Sequence, residues 1–302
     1  MKGAGEEGAA GSGAGKAPGL FEVLEREMRL RNYSNKTFKS YRSHLREFTK
    51  YISPRHPRAL NEQDVRDYLL HLLEDRKLTA GTVGQVISAL RFLYVELYKR
   101  PMAIAGIPRP LKVQKLPVIL SLEEVRRVFM GLGNGKHRIM LMLVYSAGLR
   151  VGEVVRLKPE DIDSDRMMIH IHSGKGKKDR YTLLSEVVLE GLREYWVAYH
   201  PEKWLFEGPE KGKPYTVRSA ERVFEKAAKK AGITKSVSIH SLRHAFATHL
   251  LEQGTDIRFI QELLGHSRVR TTEIYLHVSK KDLGQIRSPI DEMLQPKNKK
   301  KT

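Results

Sequence analysis

Between Leu20 and Arg100 the apolar side chains return every three or four residues, as in Phe21, Leu24 and Met28 and again in Val65, Tyr68, Leu69 and Leu72. That spacing stacks them on one face of an α-helix, and the stretch reads as four helices. Ser34, Asn61 and Thr79 are predicted N-caps, because their short polar side chains can accept from the free backbone N–H groups of a first turn. Pro54, Pro57 and Pro101 mark breaks. Residues 101–117 (PMAIAGIPRPLKVQKLP) hold four prolines and no clear period, the composition of a semi-rigid linker.

Beyond the linker the pattern changes. Ser121 and Glu124 form a capping box that opens a helix, and a second helical run covers 137–146. Residues 166–173 (RMMIHIHS) alternate as a strand does, GKGKK supplies a turn, and 179–184 (DRYTLL) is extended again, so a β-hairpin with a basic tip is predicted. Helices then return over 186–200, 216–231, 241–253 and 256–264, with a short one at 271–277. Leu283, Ile286, Ile290 and Leu294 continue at helical spacing near the C-terminus. The expected fold is mainly α with a small β-hairpin or sheet. Residues 20–100 form a helical domain, 101–117 a linker, 118–281 a mixed α/β domain, and 282–302 a C-terminal helix with a basic tail. Residues 1–19, mostly Gly and Ala with few large side chains, are expected to be disordered or an appended extension.

Length and charge sharpen this picture. The 302 residues are 40% hydrophobic, enough for two cores, and carry a formal net charge of +19. The excess is +9 over residues 20–117 and +6 over 118–296, so both halves are basic. An excess of this size repels itself unless a polyanion is near, which points to nucleic acid. There is no cysteine, which excludes disulfides, thiolate metal sites and a thiol nucleophile. No apolar run approaches a membrane span and no secretory apolar core opens the chain, so a cytoplasmic protein without membrane contact is expected. The Lys- and Glu-rich, Cys-free composition suits a thermophile or an archaeon.

The candidate chemistry lies in four segments: GLRVGE at 148–153, the turn lysine Lys175, HSLRH at 240–244, and LGHSRVRTTEIYLHV at 264–278. Each has an ordinary reading: Arg150 at a solvated helix start, Lys175 in a surface turn, His266 as a cap, Tyr275 as a core aromatic. His240 and Arg243 stand three apart and share a helix face, where both can meet one anion at the helix start.

Taken together in this order, the segments resemble the tyrosine recombinase (phage integrase) family over residues 20 to about 290. That family's pattern runs Arg, Glu or Asp, hairpin Lys, His-x-x-Arg, His or Trp, Tyr. GLRVGEVVRL and LGHSRVRTTEIYLHV resemble the Xer branch, which resolves chromosome dimers. The resemblance implies a core-binding domain followed by a catalytic domain, double-stranded DNA as the partner, and a homotetramer on two DNA sites. It also implies strand cleavage and rejoining without ATP, metal or other cofactor.

The roles it implies are chemically coherent. Tyr275 attacks the phosphodiester and captures the 3′-phosphate, conserving the bond energy for rejoining. Arg150 and Arg243 hold the non-bridging oxygens of the crowded, highly charged transition state. His266 donates a further hydrogen bond, His240 assists the loss of the phenol proton, and Lys175 protonates the departing 5′-oxygen. Glu153 orients a neighbouring side chain. A metal-dependent nuclease would require converging carboxylates, and Glu153 stands alone. Zinc on His240, His244 and His249 lacks an evident further ligand group. A DNA-binding regulator that had lost its chemistry, or a type IB topoisomerase relaxing supercoils, are the remaining alternatives.

Overall fold

In the computed structural model, residues 19–111, 116–172, 179–210 and 212–265 are described. The turn carrying Lys175, the segment with His266 and Tyr275, and the helices expected at 271–277 and 282–294 lie outside them. So do residues 1–18 and 112–115. The chain forms two compact units, 1–114 and 115–302.

The first unit contains α1 (Leu20–Leu30), α2 (Asn35–Tyr51), α3 (Glu62–Glu74) and α4 (Ala80–Arg91). The caps read from the sequence are the ones found. Ser34 Oγ accepts from Thr37 N–H at 3.1 Å, Asn61 Oδ1 from Asp64 N–H at 3.0 Å, and Thr79 Oγ1 from Thr82 N–H at 3.3 Å. Leu24, Leu45, Phe48, Val65, Leu90 and Leu93 are fully enclosed between these helices. Each such side chain stabilises the unit by roughly 1.5–3 kcal/mol relative to exposure. Past α4 the helix loosens into a π-helical segment, Phe92–Leu97. There Tyr94 is buried and donates its hydroxyl to the Pro57 carbonyl at 3.0 Å, which spares a polar group in the core.

The second unit opens with α5 (Leu122–Met130), and Ser121 and Glu124 form the expected capping box. Then come α6 (Gly135–Ser146), the single turn α7 (Val151–Val154), and a three-stranded antiparallel sheet. The strands are β1 (Ile162–Asp163), β2 (Met168–Ile171) and β3 (Arg180–Leu183), in that order. The register pairs Ile169 with Ile162 on one side and with Thr182 on the other. The helices α8 (Glu186–Tyr199), α9 (Val217–Lys230), α10 (His240–Glu252) and α11 (Ile257–Leu264) follow. In α10, residues 241–243, 245–249 and 251 are all buried. A helix enclosed on nearly all sides carries polar residues into the interior, where a charged one in particular requires partners. Arg243 is one of them.

Candidate active site

The site begins at a sharp turn after α6. Gly148 has φ +60°, and a Cβ there would lie 2.5 Å from the Phe246 ring, so glycine alone lets the chain pass so close to α10. Two residues on, Arg150 caps α7. Its backbone N–H donates to Glu153 Oε2 at 2.8 Å and its Nη1 donates to Oε1, also at 2.8 Å.

Two further guanidiniums reach the same carboxylate. Arg180, the first residue of β3, donates in a fork to Glu153 at 3.0 and 2.8 Å and through Nε to the Leu263 carbonyl at 2.8 Å. Arg243, at 4% exposure, donates to the carbonyls of Gly148 and Leu264 at 2.5 and 2.7 Å, with Nη1 3.8 Å from Glu153 Oε2. Among the described residues, three permanent positive charges therefore surround one carboxylate in a largely desolvated place, a surplus of two. Such a surplus favours an anion with several oxygens.

Burial by itself would raise the pKa of Glu153. The hydrogen bonds and charge of Arg180, followed by those of Arg150, outweigh it and bring the pKa down to about 2. Glu153 is thus an anchored anion at neutral pH and no reservoir of protons. His240, the first residue of α10, sits at the open rim. Partial desolvation, then the charge of Arg243, hold its pKa below that of an ordinary imidazole. That shift favours the neutral imidazole over the charged one.

The structure thus brings Arg150, Glu153, Arg243 and His240 together, while Lys175, His266 and Tyr275 lie outside the described residues. Gly265, at φ +60°, ends α11 directly before His266, and a Cβ on it would come within 2.7 Å of Arg180 Cδ. His249, considered above for zinc, is buried with Nδ1 2.9 Å from the Tyr145 hydroxyl. The residue that sequence reasoning missed is Arg180. The register puts it on the same face of the sheet as Thr182, the buried inner face, and an arginine at an inward position signals an anionic partner.

The phage integrase family pattern matches residues 123–282, and the phage integrase N-terminal SAM-like domain matches 20–104. The chain belongs to the phage integrase family. It is therefore a tyrosine recombinase, an enzyme of DNA cleavage and rejoining. It is 40% identical over 278 residues to "Putative integrase/recombinase y4qK" of Sinorhizobium fredii, covering 92% of this chain and 90% of that one. Tyrosine recombinase XerD of Staphylococcus epidermidis is 32% identical over 269 residues, 83% of this chain and 90% of the relative.

Among solved structures, XerA recombinase is 28% identical with a TM-score of 0.53, covering 91% of this chain and 98% of that one. XerH bound to palindromic difH substrate after cleavage gives a TM-score of 0.72 at 23% identity, over 87% and 82% of the two chains. A lambda integrase tetramer on a Holliday junction gives 0.69 at 18%, over 85% and 76%. These last two likenesses establish the fold. Among the described residues of the recombinase, no helix is long and apolar enough to cross a membrane.

The depressed pKa of Glu153 makes a pH prediction. A carboxylate whose folded pKa lies below its unfolded value stabilises the fold above the unfolded pKa, near 4.5. That contribution is lost as pH falls toward about 2, and its full size is on the order of 3 kcal/mol. Glu153→Gln should therefore lower the urea midpoint at pH 7, and the gap from wild type should narrow steadily between pH 5 and 3. A gap independent of pH would show that the arginines do not hold this carboxylate ionised.

Proposed function

We propose that the recombinase is of the Xer-like kind, cutting and rejoining double-stranded DNA at a specific site through a 3′-phosphotyrosyl intermediate on Tyr275 and resolving chromosome dimers in the cytoplasm. The observation that carries the reading is the Glu153 carboxylate held among Arg150, Arg180 and Arg243, with two positive charges left over for a phosphate.

In this reading Arg150 and Arg243 hold the non-bridging oxygens while charge builds on them. Arg180 is a positioning residue. Its fork on Glu153 and its bond to the Leu263 carbonyl fix the carboxylate that orients Arg150. The neutral imidazole of His240 takes up the phenol proton, His266 adds a hydrogen bond to the phosphate, and Lys175 protonates the leaving 5′-oxygen. The likeness to XerD and XerA supports the Xer branch, and the lambda integrase tetramer supports a homotetramer acting on two DNA sites.

Because the guanidiniums supply the charge that metal ions give to other phosphoryl-transfer enzymes, cleavage should proceed without cofactor. Incubation with a library of nicked duplexes in excess EDTA and without nucleotide should yield protein-linked DNA, and sequencing of that DNA should converge on one site. Cleavage that stops on chelation and returns with magnesium would overturn the reading, and linkage at random sequences would remove site specificity from it.

A further inference from the structure

The outer face of the small sheet carries a second cluster. His170 and His172 are two apart on β2 and its continuation, so both point away from the core that Ile169 and Ile171 enter. The register continues this face onto the neighbouring chain on each side. Asp161 precedes β1 opposite His170, and Asp179 precedes β3 opposite His172. Asp161, His170 and His172 each offer a ligand atom, and these atoms lie within 4.8 Å of one another.

Asp161 and His170 are each held in place from outside the cluster. Asp161, at 3% exposure, accepts the Lys158 backbone N–H on Oδ2 at 2.8 Å, leaving Oδ1 directed at His172 Nε2, 2.9 Å away. The His170 ring stacks on Tyr181 with centroids 4.8 Å apart and planes at 17°. Asp179 Oδ2 lies 3.6 Å from His170 Nε2 and 3.5 Å from His172 Nδ1. These separations are longer than a good hydrogen bond, yet they place a second negative charge beside both rings.

We propose that Asp161, His170 and His172 bind a divalent transition-metal ion of the zinc class, with Asp179 as the outer carboxylate that orients the two imidazoles. Two imidazoles and one carboxylate with an open position are a donor set that zinc, cobalt and nickel accept. The ion takes the place of the hydrogen shared by His172 and Asp161. Their separation then opens from 2.9 Å to about 3.4 Å, the edge of a tetrahedron with bonds of about 2.1 Å. Two aspartates balance its two charges, and the buried Asp161 has its second oxygen satisfied, as a ligating carboxylate requires. Arg180 and Thr182 lie on the opposite face of the sheet, so this ion takes no part in the phosphate site. It ties the three strands together at the end from which residues 173–178 depart.

The test uses the full chain, stripped with EDTA and dialysed. Titration with zinc chloride in a calorimeter should show one equivalent bound, and cobalt(II) should give visible absorption bands at the same stoichiometry. The double variant His170→Gln/His172→Gln should lose that equivalent while keeping the wild-type far-ultraviolet circular dichroism. Asp179→Asn, a half-exposed change that keeps the fold even if the double variant does not, should weaken binding by about 10–100-fold. Absence of binding to the wild type, an unchanged first equivalent in the double variant, or an unchanged affinity in Asp179→Asn would each overturn the proposal.

Discussion

Lys175→Ala should slow DNA cleavage by roughly 10²–10⁴-fold while duplex binding changes little, the effect expected of a lost general acid. Arg180, paired with Ile171 across β2 and β3, is locked onto Glu153 and the Leu263 carbonyl, so the strand ends that lead into residues 173–178 are fixed beside the arginine cluster. An ammonium supplied by residues 173–178 is expected to protonate the 5′-oxygen of a phosphate bound at Arg150 and Arg243. Replacing this bridging oxygen with sulfur creates a leaving group that departs as a stable thiolate and needs no proton. Cleavage by Lys175→Ala should then recover. Arg243→Ala should not recover on the sulfur substrate if, as proposed, its charge acts on the non-bridging oxygens. Rescue of Lys177→Ala or Lys178→Ala in place of Lys175→Ala would move the acid within the turn, and rescue of none of them would remove it from the turn altogether.

The helices were legible because caps and apolar spacing agree along most of the chain. Ser34, Asn61, Thr79 and Ser121 cap where the pattern expects them, and the helix read from residue 256 starts one residue later because Asp256 is its cap, accepting from Arg258 N–H. The hairpin was legible from alternation, although β2 is shorter than the expected 166–173. Met167 turns at φ +53°, which ends the extended run on that side. The strand β1 was not legible, since two residues show no period and Ile162–Asp163 exists only through its pairing with β2. The π-helical stretch at Phe92–Leu97 escaped for a related reason, because its apolar residues fit an ordinary helix equally well.

Within the site, Arg150, Glu153, His240 and Arg243 were recognisable only as a set. Arginine near glycine and histidine three before arginine are common separately, and their spacing along the chain says nothing of their meeting in space. The carbonyls of Gly148 and Leu264 that hold Arg243 were invisible in the sequence, because backbone acceptors have no residue type. Arg180 was hidden for another reason: it lies next to a run of lysines and reads as part of their solvated charge, whereas the register turns it inward.

If Tyr275 is the nucleophile, the covalent bond to DNA can be measured directly. Wild-type protein incubated with a nicked duplex carrying its site should give a DNA-linked species on a denaturing gel, and digestion followed by mass spectrometry should place the nucleotide on the Tyr275 peptide. Tyr275→Phe should form no linked species while binding the duplex almost as tightly, because the hydroxyl is needed for attack and the basic side chains supply the affinity. A linked species from Tyr275→Phe, or a wild-type adduct mapped to another residue, would contradict the account.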